Sequence, residues 1–215
     1  METESWLARL TAQRAIAVIR APTLELGRQM AKAVAAGGMK LIEITWDSDR
    51  PAHLIAELRN ELSDCTIGTG TIFTLEQLQS AIAAGAEFIF TPHVNPCLIE
   101  RAIEQETPMI PGALTPTEIV TAWQAGASSV KVFPVQALGG MSYIQSLQAP
   151  LGQIPLIPTG GVTLNNAKEM VAAGAIAVGL AGSLFPKHAL QNGDWETIAQ
   201  QAKMLMQYLE PFQKM

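Results

Sequence analysis

Two hydrophobic periods alternate along this chain. Short apolar runs of strand length occupy residues 15–20, 41–45, 66–71, 87–91, 108–112, 129–135, 154–159 and 175–179. Between them, apolar positions recur every three to four residues, which predicts helices over 24–36, about 51–62, 74–84, 96–106, 116–125, around 143–148, 163–173 and 194 to about 209. A further helix over 3–13 precedes the first strand, with Trp6, Leu7 and Leu10 on one side and Thr3 as a candidate cap. The pairs Ala36-Gly37, Ala84-Gly85, Ala125-Gly126 and Ala173-Gly174 recur just ahead of strands. Glycine there supplies the left-handed residue that ends a helix and turns the chain back toward a sheet.

Eight such strand–helix units, with strands apolar on both faces, predict an α/β fold: one (β/α)₈ TIM barrel over residues 1–215, its extra N-terminal helix covering one mouth. A doubly wound open sheet is the alternative. The even repetition and the lack of a glycine-rich dinucleotide turn after the first strand argue against it.

Composition narrows the function classes. Of 215 residues 48% are hydrophobic and 15% charged, with a formal net charge of −5. No basic stripe is available for nucleic acid or an anionic membrane surface. The longest apolar stretch, residues 175–185, is too short to span a bilayer, which takes ~20 residues. Cys65 and Cys97 form no CxxC pair, and Met1-Glu2-Thr3-Glu4 opens acidic, so a cytoplasmic setting is expected. His53, His93 and His188 lack metal-ligand spacing, and no metal is expected.

Candidate chemistry centres on Lys131, in the middle of the apolar run Ser129-Val130-Lys131-Val132-Phe133. Burial disfavours an ammonium, and the neutral amine is the form that attacks a carbonyl to make a Schiff base. A lysine whose stem packs while its head reaches water is the other reading. Alternation puts Lys131 with Phe133, Glu43 with Leu41 and Thr45, Arg20 with Ile16 and Val18, and Thr71 with Thr69. In a barrel, Glu43, Thr71 and Lys131 then share one interior. An amine, a proton-shuttling carboxyl and a carboxylate donor are what a Schiff-base aldolase requires, although Glu43 serving only to neutralise Lys131 stays open. A second constellation, Pro158-Thr159-Gly160-Gly161 with Gly179-Leu180-Ala181-Gly182-Ser183, follows the last two strands. Barrels often bind phosphate there on bare backbone N–H groups and a short helix N-terminus.

Leu41-Ile42-Glu43-Ile44-Thr45, Gly68-Thr69-Gly70-Thr71, Thr91-Pro92-His93, Pro111-Gly112, Lys131-Val132-Phe133-Pro134 and Pro158-Thr159-Gly160-Gly161 together resemble the 2-keto-3-deoxy-6-phosphogluconate (KDPG) / 4-hydroxy-2-oxoglutarate (KHG) aldolase family across nearly the whole chain. The resemblance implies a class I lyase acting on a small, phosphorylated 2-keto acid, a homotrimer, and a covalent imine in place of any cofactor or metal. It assigns Lys131 the imine, Glu43 the general acid/base role and Thr71 the pyruvyl carboxylate. Pro92 and Phe133 line that pocket, Thr159 meets the hydroxyl-bearing part, and Gly160, Gly161, Gly182 and Ser183 form the phosphate loops.

One position departs from the pattern. Many members carry an arginine four residues after the glutamate, where this chain has Asp47; other relatives carry it at the end of strand one, where Arg20 stands here. Arg20 is therefore expected to supply the cation for the substrate carboxylate, against the alternative that it merely neutralises Asp47 or Asp49. Other functional readings are an oxaloacetate decarboxylase using the same imine, a non-catalytic sugar-phosphate-binding barrel, and another phosphate-binding barrel enzyme.

Overall fold

The computed structural model describes residues 3–213; the acidic opening at Met1 and Glu2, and the Thr3 side chain with its candidate cap, lie outside what it describes. The chain runs α1 (Thr3–Gln13), β1 (Ala15–Ile19), α2 (Leu24–Ala36), β2 (Leu41–Thr45), α3 (Pro51–Glu61), β3 (Thr66–Gly70), α4 (Leu75–Ala83), β4 (Ile89–Phe90) and α5 (Pro96–Glu104). It continues with β5 (Met109–Ile110), β6 (Gly112–Ala113), α6 (Pro116–Gln124), β7 (Val130–Val132), α7 (Met141–Leu151), β8 (Leu156–Pro158), α8 (Ala167–Ala172), β9 (Val178–Leu180), α9 (Lys187–Asn192) and α10 (Trp195–Gln213).

All pairings between strands are parallel, as the alternating pattern demands. They form two sheets rather than one continuous ring: a six-stranded sheet in the order β5-β4-β3-β2-β1-β9 and a three-stranded sheet β6-β7-β8. The break between β5 and β6 falls at Pro111, which has no N–H to give a ladder but still accepts from Lys131 N at 2.9 Å. Backbone bonds cross both gaps between the sheets. Ser128 N donates to Met109 O at 2.9 Å, Ile176 N donates to Leu156 O at 3.0 Å, and Thr159 bridges Gly179.

The strands enclose a small inner cluster of Ile16, Leu41, Phe88, Phe90, Ile110, Ile157 and Ala177, distinct from the larger layer between strands and helices. Helix α1 contributes Trp6 and Leu10 to that inner cluster, both fully buried. Trp6 stacks 4.9 Å from Phe88 and its indole N–H donates to Ser129 Oγ at 3.1 Å, so the first helix covers the strands' N-terminal end, as expected.

Several elements differ from the pattern-based expectation. The helix expected over 163–173 begins at Ala167, because Thr163 and Asn166 hydrogen-bond to each other's backbone and hold residues 163–166 as a turn. Helix α7 extends beyond residues 143–148 in both directions, and α9 was not anticipated, being a six-residue element ended by Gly193 in the left-handed region. The helix-ending glycines at 85, 126 and 174 take the left-handed conformation; after α2 that role falls on Gly38, not Gly37.

Since Trp6 fills the end of the inner cluster, Trp6→Ala is expected to destabilise the fold by about 3–5 kcal/mol, and Trp6→Phe, which keeps most of the volume but loses the Ser129 bond, by about 1 kcal/mol. Urea denaturation of both variants checks the ranking.

Candidate active site

At the C-terminal ends of the strands a cavity of about 420 Å³ opens, and all eleven residues singled out from the sequence line it: Arg20, Glu43, Thr71, Pro92, Lys131, Phe133, Thr159, Gly160, Gly161, Gly182 and Ser183. Strand alternation accounts for the central ones. On β7, Val130 and Val132 face the outer layer, leaving Lys131 and Phe133 for the interior; on β2, Ile42 and Ile44 do the same for Glu43.

Lys131 is buried, 7% exposed, with its Nζ 5.5 Å from the Phe90 ring and 5.0 Å from the Phe133 ring. Glu43 is 1% exposed. No ion pair within 4.0 Å joins them among the described residues, and Glu43 Oε1 has no hydrogen-bond partner. The reading in which Glu43 simply neutralises Lys131 through a direct salt bridge is not what the side chains do. Burial pushes the Glu43 carboxyl above the ordinary carboxylate value, with the nearby charges of Lys131 and Arg20 opposing that rise and Asp47 adding to it. A carboxyl held this way retains its proton where an exposed one has lost it.

The glycines of Gly68-Thr69-Gly70-Thr71 explain why a carboxyl fits here. Gly70 lies opposite Thr45 in the β2–β3 register, and a Cβ built on it would stand 1.8 Å from Glu43 Oε1. The carboxyl therefore lies against bare backbone, a signal legible in the period-two glycines, which put both on the inner face.

Thr71 reaches the cavity by a different route from the one alternation gives. Thr69 faces away from the interior, donating to Ile44 O at 2.6 Å, so a regular strand would have sent Thr71 outward too. Instead Thr71 has φ +64°, the left-handed region, and the chain turns its side chain into the pocket. For a β-branched residue that conformation costs on the order of 1–3 kcal/mol, and such strain is found where function needs it. The expected shared face of Thr69 and Thr71 is thus corrected, while Thr71's place in the site stands.

At the far end, the amides of Gly160, Gly161, Gly182 and Ser183 donate to no acceptor among the described residues. Asn166 fixes the first turn, accepting from Thr163 N at 2.7 Å and donating to Gly161 O at 3.1 Å, and the Ser183 hydroxyl donates to Val162 O at 3.4 Å, tying the two turns together. A Cβ on Gly161 would stand 2.3 Å from Gln136 Cβ, and one on Gly182 would meet nothing within 4 Å. The expected short helix N-terminus is absent from this end: α8 and α9 begin several residues beyond the turns. What remains is a set of backbone N–H groups without acceptors among the described residues, a chemistry suited to an anion.

Arg20 stands at the rim, its Nε 3.0 and 2.9 Å from the two carboxylate oxygens of Asp47. Asp47 titrates below the ordinary carboxylate value; partial burial works upward, but hydrogen bonds from Thr45 and Arg20 and the Arg20 charge outweigh it. Sequence reasoning did not assign to the site some of the cavity's other walls, namely Val18, Thr45 and Phe73. The alternation rule places Val18 and Thr45 on the inner face; nothing in the pattern pointed to Phe73, which stacks 5.6 Å from His93 on an adjacent loop.

Because burial raises Glu43, its contribution to stability is fully present below the unfolded value of about 4.5 and is lost as pH rises through the higher value it has in the fold. Glu43→Gln removes this loss. The variant is expected to gain on the wild type from about pH 4.5 upward, reaching on the order of 1–3 kcal/mol at neutral pH; denaturation midpoints across that range check the sign, and a difference independent of pH would contradict it.

Comparison with known proteins places this arrangement. The family model "Aldolase: KDPG and KHG aldolase" matches residues 7–201. A 2-dehydro-3-deoxy-phosphogluconate aldolase of Treponema pallidum is 34% identical over 194 residues, 90% of this chain and 92% of that protein. The KHG/KDPG aldolase of Escherichia coli K12 is 32% identical over 195 residues, 90% of this chain and 91% of that one. Among solved structures, KDPG aldolase from Legionella pneumophila, with pyruvate captured as a covalent carbinolamine intermediate, superposes with a TM-score of 0.84 at 29% identity, covering 92% of this chain and 96% of that chain. On these matches, spanning nearly its full length, the chain belongs to the KDPG and KHG aldolase family.

Proposed function

We propose that this chain is a class I lyase that cleaves 2-keto-3-deoxy-6-phosphogluconate to pyruvate and glyceraldehyde 3-phosphate, and 4-hydroxy-2-oxoglutarate to pyruvate and glyoxylate. The observation that carries the reading is a buried amine and a buried carboxyl, its titration pushed upward by that burial, facing one cavity without bonding each other. Such a pair leaves room between them for a reacting carbon.

In this reading the Lys131 amine adds to the C2 carbonyl, and the resulting carbinolamine loses its hydroxyl as water with a proton from Glu43. The iminium then withdraws electrons from the C3–C4 bond. Glu43, now ionised, takes the C4 hydroxyl proton as that bond breaks, releasing the aldehyde and leaving an enamine on Lys131. Protonation of C3 and hydrolysis free pyruvate and the amine. The imine nitrogen is itself the electron sink, so the scheme calls for no metal or other cofactor.

The remaining residues take their roles from position. Thr71 and Arg20 hold the pyruvyl carboxylate, Pro92 and Phe133 wall the pyruvyl half, and Thr159 meets the C4–C5 hydroxyls. Gly160, Gly161 and Gly182 hold the phosphate through their amides, and Ser183 through its amide and its hydroxyl. Gly112, where a Cβ would stand 2.6 Å from the Pro92 carbonyl carbon, is what lets Pro92 come close.

At the level of the fold, the bonds that cross between the six- and three-stranded sheets support reading β5 and β6 as one strand interrupted at Pro111, and the whole of residues 1–215 as one closed (β/α)₈ domain. Exposed apolar side chains, among them Phe73, Leu75, Ile103, Met204 and Tyr208, are available to the contacts of a homotrimer. Among the described residues no helix is long and apolar enough to cross a membrane; a cytoplasmic enzyme with a small-molecule substrate and neither nucleic acid nor membrane as partner fits this reading.

Borohydride reduction in the presence of pyruvate is expected to add the three-carbon unit irreversibly to the peptide carrying Lys131, read by mass mapping; an adduct elsewhere, or none, removes the reaction class. Ser183→Ala is expected to raise KM for the phosphorylated substrate about three- to tenfold and to leave 4-hydroxy-2-oxoglutarate cleavage nearly unchanged. Equal losses on both substrates would take the phosphate out of this end of the cavity.

A further inference from the structure

The loops after β1 and β2 are stitched to one another. Ala21 N donates to Ser48 Oγ at 3.1 Å, Asp49 N donates to Ala21 O at 3.0 Å, Leu24 N donates to Asp49 Oδ2 at 3.0 Å, and the Ser48 and Thr45 hydroxyls lie 3.2 Å apart. Arg20 and Asp47 sit at the start of these two loops and make the one side-chain ion pair at the cavity rim. The pair has a particular form. Asp47 meets Arg20 at Nε, with both of its oxygens within 3.0 Å.

A guanidinium offers a carboxylate two forked edges, one from Nε and an amino group, the other from the two amino groups. Engaging Nε uses up the first and leaves the second. Four rotatable bonds would otherwise let an exposed arginine sweep a wide arc; side-chain entropy of about 2 kcal/mol belongs to that freedom. Held at Nε by a neighbour whose own loop is fixed, the side chain has far less of it to lose when an anion arrives.

We infer that Asp47 is a positioning residue, which holds Arg20 through Nε so that its terminal fork meets the substrate carboxylate. The inference rests on the proposed role of Arg20. It also reverses the simple electrostatic expectation for an aspartate at this place, which is that it only repels an anionic substrate.

Charge and position separate cleanly by substitution. Asp47→Asn removes the charge and keeps an oxygen acceptor for Nε; Asp47→Ala removes both. Pyruvate Kd, with KM and kcat for KDPG, is measured on the full-length wild type, both variants and Arg20→Ala at fixed salt. If Asp47 positions Arg20, Asp47→Ala weakens pyruvate binding about two- to fivefold, the range of an exposed pair, and raises KM more than it lowers kcat. Asp47→Asn then binds pyruvate as the wild type does, or more tightly. The charged groups facing Glu43 are Lys131 on β7, Arg20 after β1 and Asp47 after β2. Since Asp47 contributes to the upward displacement of Glu43, and the mechanism needs Glu43 to start with its proton, both Asp47 variants shift the alkaline limb of the kcat/KM profile that Glu43 governs to lower pH, a readout of charge alone.

Equal pyruvate affinities for Asp47→Asn and Asp47→Ala, whether both tighten or both weaken, overturn the inference and leave Asp47 a charge only. Wild-type pyruvate binding by Arg20→Ala overturns it together with the reading of Arg20 on which it rests. Because the pair is exposed, thermal midpoints of the Asp47 variants are expected to stay within a few degrees of wild type, which keeps misfolding out of the comparison.

Discussion

The structure turns on a carboxyl group deprived of water. Glu43 is enclosed by strands, has an oxygen with no partner, and is not bonded to the lysine it faces. Burying such a group costs free energy, and burial shifts it toward its protonated form, a shift that the charges of Lys131 and Arg20 offset only in part. In the proposed mechanism the same circumstance makes the group useful, since a carboxyl that burial makes slower to give up its proton can donate to a leaving hydroxyl and then accept from another. What weakens the folded protein is therefore what equips it for chemistry.

Space for this arrangement comes from small residues on the inner face. Gly70 gives up a side chain to Glu43, Gly112 lets the Pro92 backbone close in, and Gly179 leaves room for the Thr159 hydroxyl, a Cβ there falling 2.5 Å from its Oγ1. Below them the aromatic group Trp6, Phe88 and Phe90 fills the interior, with Phe88 and Phe90 meeting edge to face at 5.8 Å. The interior is thus layered, apolar and full at one end, polar and hollow at the other, and the change happens along single strands within two residues: Leu41 to Glu43, Ile157 to Thr159, Ala177 to Gly179.

Much of this was legible in the chain because it follows from period. Parallel strands, their order of occurrence, and the inward aim of Lys131, Phe133, Glu43 and Arg20 are all products of alternation. The reading failed where local backbone geometry overrides period. Thr71 enters the cavity through a left-handed turn that no residue type in Gly68-Thr69-Gly70-Thr71 announces, since glycine, not threonine, is the residue expected there. Helix α9 was invisible because six residues give too little periodicity to detect. The Arg20–Asp47 contact was anticipated as an alternative to a role in binding, but the choice between one edge of a guanidinium and the other is a matter of side-chain torsions that no sequence pattern encodes.

Helix α1 has a consequence that reaches beyond stability. With Trp6 and Leu10 filling one end of the strand enclosure, the cavity lies at the other, beside the glycine turns. Lys131 lies level with Ile157, three residues further in than Gly160, so under the proposed roles a substrate enters with its keto-acid head first and its phosphate last. On the same reading departure runs in the opposite order, since the aldehyde fragment stands between the tethered three-carbon remnant and the glycine turns. On that reading, one stopper at the base imposes a queue on the products.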